Sequence, residues 1–139
     1  MLFAGLRIKE VTTVQESDFE KIENRDILRV LGKGRNDKKD FVIITSELQS
    51  ILSANNTLDF FASYSVQKIR KITNGYLTKI GAYEKNKVTC HSLRHTTAQN
   101  LLRDGKGIEI VKAHLRHKSI QSTEKYIKQI EQNEYIKNF

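Results

Sequence analysis

Apolar residues recur every three or four positions through much of the chain, and this periodicity constrains the fold more than any other feature. The chain contains no proline, so caps and glycines must set the helix ends. Ser46 with Gln49 is typical of a capping box, and Asp104-Gly105 is typical of a helix stop. The spacing predicts helices over residues 46–55, 65–83, 91–102 and 108–115.

Only one part of the chain has the composition of β-structure. Residues 27–31 and 40–45 are rich in branched aliphatic side chains, and the polar stretch between them is typical of a hairpin tip. Residues 2–14 have a loosely helical spacing of apolar side chains. No capping residue precedes this spacing, which is what the end of a longer segment would look like. Ser122 can cap a final helix. The sequence therefore predicts one continuous domain, mainly α with a small β-hairpin or sheet (α+β).

Size and charge narrow the class of protein. At 139 residues with 38% hydrophobic side chains, the chain can form one core without disulfides, and the single Cys90 excludes an internal bridge. No apolar run approaches the ~18 residues of a membrane span, so we expect a cytoplasmic protein without membrane contact. A net charge of +8 favours a polyanionic partner, nucleic acid above all, although a basic but uncommitted surface is the alternative.

The histidines occur as two close pairs, which raises the question of a metal site. His91 and His95 lie one helical turn apart beside Cys90, a spacing that can bind zinc. Arg94 lies within this pair and Arg116 within the second, and a fixed cation nearby raises the cost of binding another. We therefore predict no metal. Ordinary surface or core histidines are the other alternative.

A more specific interpretation joins the same residues to a tyrosine. His91 and Arg94 form the motif HxxR, and Tyr126 follows His117 by nine residues. Phosphoryl transfer by a tyrosine needs guanidinium forks to stabilise the extra charge on the non-bridging oxygens. It also needs a group such as histidine to help remove a phenol proton whose free pKa is about 10.

In this combination the chain resembles the catalytic domain of the tyrosine recombinase, or phage integrase, family over nearly its whole length. The family's first arginine, in a Gly-Leu-Arg turn with an acid three residues later, corresponds to Arg7 with Glu10. The family's hairpin lysine, which lies between two glycines, corresponds to Lys33. The Walker A pattern of nucleotide-binding loops is absent around Lys33, so nucleotide binding there is not expected. Its later Leu-Gly-His corresponds to residues 115–117, in which Arg116 replaces the usual glycine and is expected to tighten or crowd the turn.

The resemblance implies a transesterification of DNA without metal or cofactor. The two arginines would hold the scissile phosphate, His117 would donate a hydrogen bond to it, and Tyr126 would attack phosphorus to give a 3′-phosphotyrosyl link. Lys33 would protonate the leaving 5′-oxygen, His91 would act as general base, and Glu10 would orient one arginine. The implied catalytic residues are Arg7, Lys33, His91, Arg94, His117 and Tyr126.

Double-stranded DNA is the implied partner. Exposed lysines would contact its phosphates without reading sequence, which makes affinity dependent on salt. The lysines that we expect in this role are Lys68, Lys71, Lys79, Lys85 and Lys87.

The family also sets expectations about organisation. It places a DNA-clamping domain and further helices before the first arginine, so residues 1–139 are expected to be the catalytic part of a longer integrase, lacking those elements. Residues 129–139 match the family's tail, which docks on a neighbouring protomer in a tetramer on paired duplexes; an intramolecular helix is the alternative. The function predicted is that of a site-specific recombinase of a phage or mobile element, acting at the bacterial nucleoid. A type IB topoisomerase-like enzyme and a non-catalytic basic DNA-binding protein are the alternatives.

Overall fold

The computed structural model describes residues 1–34, 36–55, 63–83 and 87–117, together with residues 121, 124, 128, 132 and 136. The helices are α1 (Ile8–Val11), α2 (Ser46–Asn55), α3 (Val66–Lys79), α4 (Cys90–Arg103) and α5 (Ile108–Leu115). The strands are β1 (Phe19–Ile22), β2 (Arg25–Val30) and β3 (Asp40–Ile43). The five separate positions beyond 117 are helical, and most of the helix predicted after Ser122 lies outside the described residues.

The three strands form one antiparallel sheet in the order β1, β2, β3. Leu28 pairs with Phe19 on one side and with Val42 on the other, so the three side chains share the face that packs on the core. The predicted hairpin of β2 and β3 is confirmed. Strand β1 was not predicted, because its turn to β2 uses Glu23 and Asn24 at φ 46° and 62° and contains none of the glycines that normally mark such a turn.

Two apolar clusters stabilise the domain. The larger one packs the inner face of the sheet against the N-terminal segment and α3; its buried members are Ala4, Leu6, Val11, Val14, Leu28, Val30, Val42 and Ile69. The smaller one joins α4 to α5 through Ala98, Val111 and Leu115, all fully buried. Helix α5 also contacts β3. Leu115 also lies beside Gly5, so the C-terminal end of α5 is held next to the N-terminal segment, although more than a hundred residues separate them in sequence.

The helix ends test the capping predictions. Helix α2 is capped by Thr45, whose Oγ1 accepts from the Leu48 N–H at 3.3 Å. The predicted cap, Ser46, is instead the first residue of the helix. Helix α3 is capped by Ser65, the first residue of the predicted helix, whose Oγ accepts from the Lys68 N–H at 3.2 Å. The stop after α4 is confirmed, since Gly105 takes φ 76°.

In two parts of the chain the helix is shorter than the helical spacing of the sequence. The α-helix in residues 2–14 is confined to one turn, Ile8–Val11, because Leu6 and Val14 are buried from turns on either side of it. Helix α3 ends at Lys79 and not at residue 83, since the chain turns at Gly81 with φ 71°. None of the helices in the described ranges has the length and hydropathy of a membrane span.

Candidate active site

Arg7 and Glu10 form a closed pair at the start of α1. The Arg7 Nη1 donates to Glu10 Oε1 at 2.7 Å, and the Arg7 backbone N–H donates to Glu10 Oε2 at 2.6 Å. Glu10 is 3% exposed, whereas the Arg7 side chain is 28% exposed. A buried carboxylate therefore fixes a guanidinium that solvent can reach.

Arg94 is a buried connection between the two ends of the site. It lies on α4 and is 3% exposed. Its Nη1 donates to the Gly5 carbonyl and its Nη2 to the Leu115 carbonyl. One guanidinium thus joins the segment just before Arg7 to the last residue of α5.

The close approach at Gly5 depends on the absence of a side chain. Gly5 has φ +59°, and an added Cβ would lie 2.6 Å from Leu115 Cδ2. An L side chain is disfavoured at this φ and would also push into a fully buried leucine. The glycine of the Gly-Leu-Arg turn is therefore a packing requirement of the site.

The C-terminus of α5 presents His117 through a Schellman motif. The N–H of Arg116 bonds to the Ala113 carbonyl and the N–H of His117 to the Lys112 carbonyl, both at 3.0 Å. Arg116 takes the left-handed conformation, φ 54° and ψ 45°, that such a motif requires. This explains why glycine is usual at this position, and it shows that the turn forms with arginine there.

The Arg116 side chain returns to the site. Its Nη2 is 2.6 Å from Glu10 Oε2, and its Nη1 donates to the His114 carbonyl at 2.8 Å. The Arg116 carbonyl accepts from Arg7 Nη2 at 3.2 Å. Glu10 therefore lies between two guanidinium groups.

Burial and positive charge keep two histidines neutral. Burial, followed by the charges of Arg94 and Arg7, lowers the pKa of His117 to about 4. Burial, followed by Arg116 and Arg94, lowers the pKa of His114 to about 4. At pH 7 each ring is thus neutral, with one N–H donor and one acceptor nitrogen.

His91 and His95 form a neighbouring pair on α4. Their ring centroids are 4.2 Å apart in an edge-to-face arrangement, and His91 is exposed. Burial, then His91 and Arg94, lowers the pKa of His95, and His95 in turn contributes to the shift at His117. The two pairs therefore belong to one electrostatic environment. Within the described ranges, no three His, Cys, Asp or Glu side chains are arranged to hold a metal ion.

Lys33 lies at the exposed tip of the connection between β2 and β3. The base of this connection is anchored by Lys38, whose Nζ donates to the Thr13 carbonyl at 2.6 Å and pairs with the carboxylate of Asp18. The structure therefore combines a fixed base with an exposed lysine. Tyr126 lies outside the described residues.

Three of the five predicted DNA-contacting lysines share one surface. Lys68, Lys71 and Lys79 line a shallow groove of about 450 Å³ along α3, together with the exposed Tyr76. Lys87 is exposed at φ 50° just before α4. Lys85 lies outside the described residues.

Sequence reasoning missed the parts of the site that depend on tertiary contacts. It did not predict the ion pair of Arg116 with Glu10, the burial of His114 or the anchoring by Lys38. Only Arg116 left a signal, as an arginine at a helix end where glycine was expected.

Comparisons with known proteins bear on the family and the fold of the chain. The sequence matches the phage integrase family over residues 1–133. Tyrosine recombinase XerC of Leptospira interrogans is 33% identical over 138 residues, covering 89% of this chain and 42% of the relative. Tyrosine recombinase XerH of Campylobacter jejuni is 26% identical over 137 residues, covering 91% of this chain and 38% of the relative.

Solved structures give the same result for the fold. The crystal structure of XerA recombinase has a TM-score of 0.72 at 26% identity and covers 90% of this chain and 49% of its own. A post-cleavage complex of XerH with a palindromic difH substrate has a TM-score of 0.74 at 18% identity, covering 99% of this chain and 44% of its own.

The chain belongs to the phage integrase family, and its fold is that of the tyrosine recombinases. The predicted family and the predicted fold class are both confirmed. The chain spans less than half the length of the curated relatives described above.

Proposed function

We propose that this chain is the catalytic domain of a site-specific DNA recombinase that cleaves and rejoins strands through a 3′-phosphotyrosyl link. One observation carries the proposal: Arg7, Arg94 and His117 converge from distant parts of the sequence on the junction of the N-terminal segment with α5. Burial lowers the pKa of His117 most, and the positive charges of Arg94 and Arg7 at this junction lower it further.

The arginines and His117 would bind the scissile phosphate. A phosphodiester gains negative charge on its non-bridging oxygens in the transition state, and guanidinium groups stabilise that charge best when they are held in advance. Arg7 is held by Glu10, and Arg94 by two backbone carbonyls. A neutral His117 would donate its single N–H to the same phosphate.

The remaining groups would move protons. The Tyr126 oxygen forms a bond to phosphorus while the bond from phosphorus to the 5′-oxygen breaks. His91 takes the phenol proton as general base, and Lys33 gives a proton to the departing 5′-oxygen. The exposed tip that carries Lys33 suits a donor that must reach the leaving group. Attack by the 5′-hydroxyl of another strand reverses these steps and needs no external energy.

Double-stranded DNA is the proposed substrate, and binding it would place the protein at the nucleoid of a bacterial cell. The lysines of the α3 groove support this, since they lie on one face and are exposed. Replacing Lys68, Lys71 and Lys79 together by Gln should reduce the slope of log K against log[salt] by about 2–3. Replacing three exposed residues on β1 and α2 (Glu20, Lys21 and Gln49) by Ala is the control and should leave the slope within about one of the parent.

A covalent-trapping assay on the full-length protein tests the chemistry. A duplex with a nick close to the cleavage site loses a short 5′-ended strand after attack, so the protein remains attached to DNA. We expect a complex that survives denaturation and disappears in Tyr126→Phe. Tyr83→Phe, at an exposed tyrosine outside the α3 groove, is the matched control and should trap as the parent does.

Three outcomes would contradict the proposal. A covalent complex that persists in Tyr126→Phe would remove the tyrosine from the mechanism. Relaxation of supercoiled DNA without site preference would indicate a type IB topoisomerase-like enzyme. Binding without any covalent complex, unchanged when Arg7 and Arg94 are both replaced, would indicate a non-catalytic DNA-binding protein.

We further propose that protomers assemble as a tetramer on paired duplexes and exchange residues 129–139. Of this tail the structure describes only positions 132 and 136, both helical, with Ile136 71% exposed. The support for exchange is the family resemblance of this tail, since a single exposed apolar side chain is ordinary on a protein surface. Deletion after Lys128 should abolish the assembly on DNA; unchanged assembly, by gel shift or light scattering, would refute exchange.

A further inference from the structure

Arg116 stands where the resembled family has glycine, yet its side chain lies inside the site. The Arg116 side chain is 7% exposed, and its two Nη groups are engaged by Glu10 and by the His114 carbonyl. Its charge is therefore paired with a buried carboxylate inside the site. This arrangement suits action on a neighbouring residue.

That neighbour is Arg7, which Arg116 reaches by two routes. The first is direct, because the Arg116 carbonyl accepts from Arg7 Nη2 at 3.2 Å. The second passes through Glu10, whose Oε2 takes both the Arg7 backbone N–H and Arg116 Nη2 at 2.6 Å, while its Oε1 takes Arg7 Nη1 at 2.7 Å. A glycine could supply the carbonyl of the first route and nothing of the second.

We propose that Arg116 is a positioning residue, which fixes the Glu10 carboxylate and thereby the orientation of the Arg7 guanidinium toward the scissile phosphate. This assignment rests on the proposed function. Glu10 is buried at 3% exposure, so removal of one of its guanidinium partners leaves a carboxylate that must rotate or take up water. Either change alters the carboxylate that orients Arg7.

The backbone conformation at residue 116 allows the side chain to be removed without disturbing the turn. Because residue 116 has φ 54°, glycine is the substitution that the turn tolerates best, so Arg116→Gly removes the side chain without straining the Schellman motif. Arg116→Ala would remove the side chain and also strain the backbone at positive φ, so its two effects could not be separated.

The experiment measures strand cleavage by the full-length protein at saturating nicked DNA, with DNA affinity measured separately. Arg116→Gly should lower the cleavage rate by roughly ten- to a hundredfold, the usual result of a small misplacement at a reacting centre, and change the dissociation constant by less than about threefold. Arg116→Lys should recover part of the rate, since an ammonium can still reach Glu10. Cleavage by Arg116→Gly at the parent rate would overturn the assignment.

A double-mutant cycle with Glu10→Gln tests the route of action. If Arg116 acts through Glu10, Arg116→Gly should lower the rate little further in the Glu10→Gln background. Equal losses in both backgrounds would mean that Arg116 acts independently of Glu10, and the assignment would be wrong.

A measurement without DNA keeps this inference separate from the proposed function. In arginine-edited NMR spectra, rotation of the Arg7 guanidinium should be slow in the parent and at least about tenfold faster in Arg116→Gly, because a held guanidinium turns slowly. Unchanged rotation would refute the positioning role even if the parent cleaves DNA. Failure of the parent to form a covalent complex would refute the proposed function while leaving this readout decisive for Arg116.

Discussion

Substitution of Gly5 by alanine gives the sharpest test of how the site is assembled. The residue has φ +59°, where an L side chain costs about 1–2 kcal/mol. Its Cβ would lie 2.6 Å from Leu115 Cδ2, and overpacking a buried leucine costs about 1–3 kcal/mol more. The free energy of unfolding should therefore fall by about 2–5 kcal/mol. For a domain of this length that lowers Tm by roughly 6–25 °C.

Substitutions at two other glycines separate the cost of backbone strain from the cost of the contact with Leu115. Gly105 has φ +76° with open space around a built Cβ, so Gly105→Ala should cost only the conformational part, about 1 kcal/mol. Gly75 lies within α3 with nothing near its Cβ, and Gly75→Ala should stabilise by about 0.5–1 kcal/mol. The assay is calorimetry supported by urea denaturation. Equal losses for Gly5→Ala and Gly105→Ala would refute the claim that Leu115 packs against Gly5.

Three further expectations concern the buried polar groups. Arg94→Lys should lower the free energy of unfolding by about 2–4 kcal/mol, because one ammonium cannot reproduce a fork to two carbonyls; a loss below about 1 kcal/mol in urea titrations would contradict the fork. Lys38→Met should lower the free energy of unfolding by about 2–3 kcal/mol, because it leaves the buried Asp18 carboxylate without its cation. Adding Asp18→Asn to the Lys38→Met chain should recover part of that free energy. The pKa of His114 lies near 4 when folded and near 6.5 when unfolded, so the unfolded chain binds more protons between these values and stability falls as pH drops through them. Because the His114 side chain is not fully buried, this loss of stability is about 1–2 kcal/mol. In His114→Gln the urea midpoint should therefore depend less steeply on pH than in the parent. An unchanged pH dependence would mean that other groups cause the loss.

Local sequence signals predicted the elements well where local chemistry sets them. Helix α5 begins and ends at the predicted residues because Gly107 and the apolar spacing of Ile108, Val111 and Leu115 agree with each other. The hairpin of β2 and β3 was found for the same reason. Strand β1 was missed because its residues alternate weakly and its turn depends on Asn24 tolerating positive φ, which no spacing rule detects.

The site shows a different limit. The resemblance to the family identified Arg7 and Glu10 and implied that they act together with His117. No sequence pattern reports which carbonyls a buried guanidinium will bind. The contacts of Arg94 with residues 5 and 115 therefore needed coordinates, as did the return of Arg116 to Glu10.

The polar contacts of the site also determine how its variants must be interpreted. Arg94 is at once a proposed phosphate ligand and a buried polar link between the N-terminal segment and α5. Any substitution there changes stability and phosphate binding together, so loss of activity alone cannot distinguish the two effects. Arg7 differs, because its side chain is 28% exposed and its contacts lie with Glu10 and one carbonyl at the edge of the core. Arg7→Lys should therefore lower cleavage with a smaller loss of stability than Arg94→Lys, and comparison of the two variants at equal folded fraction separates chemistry from folding.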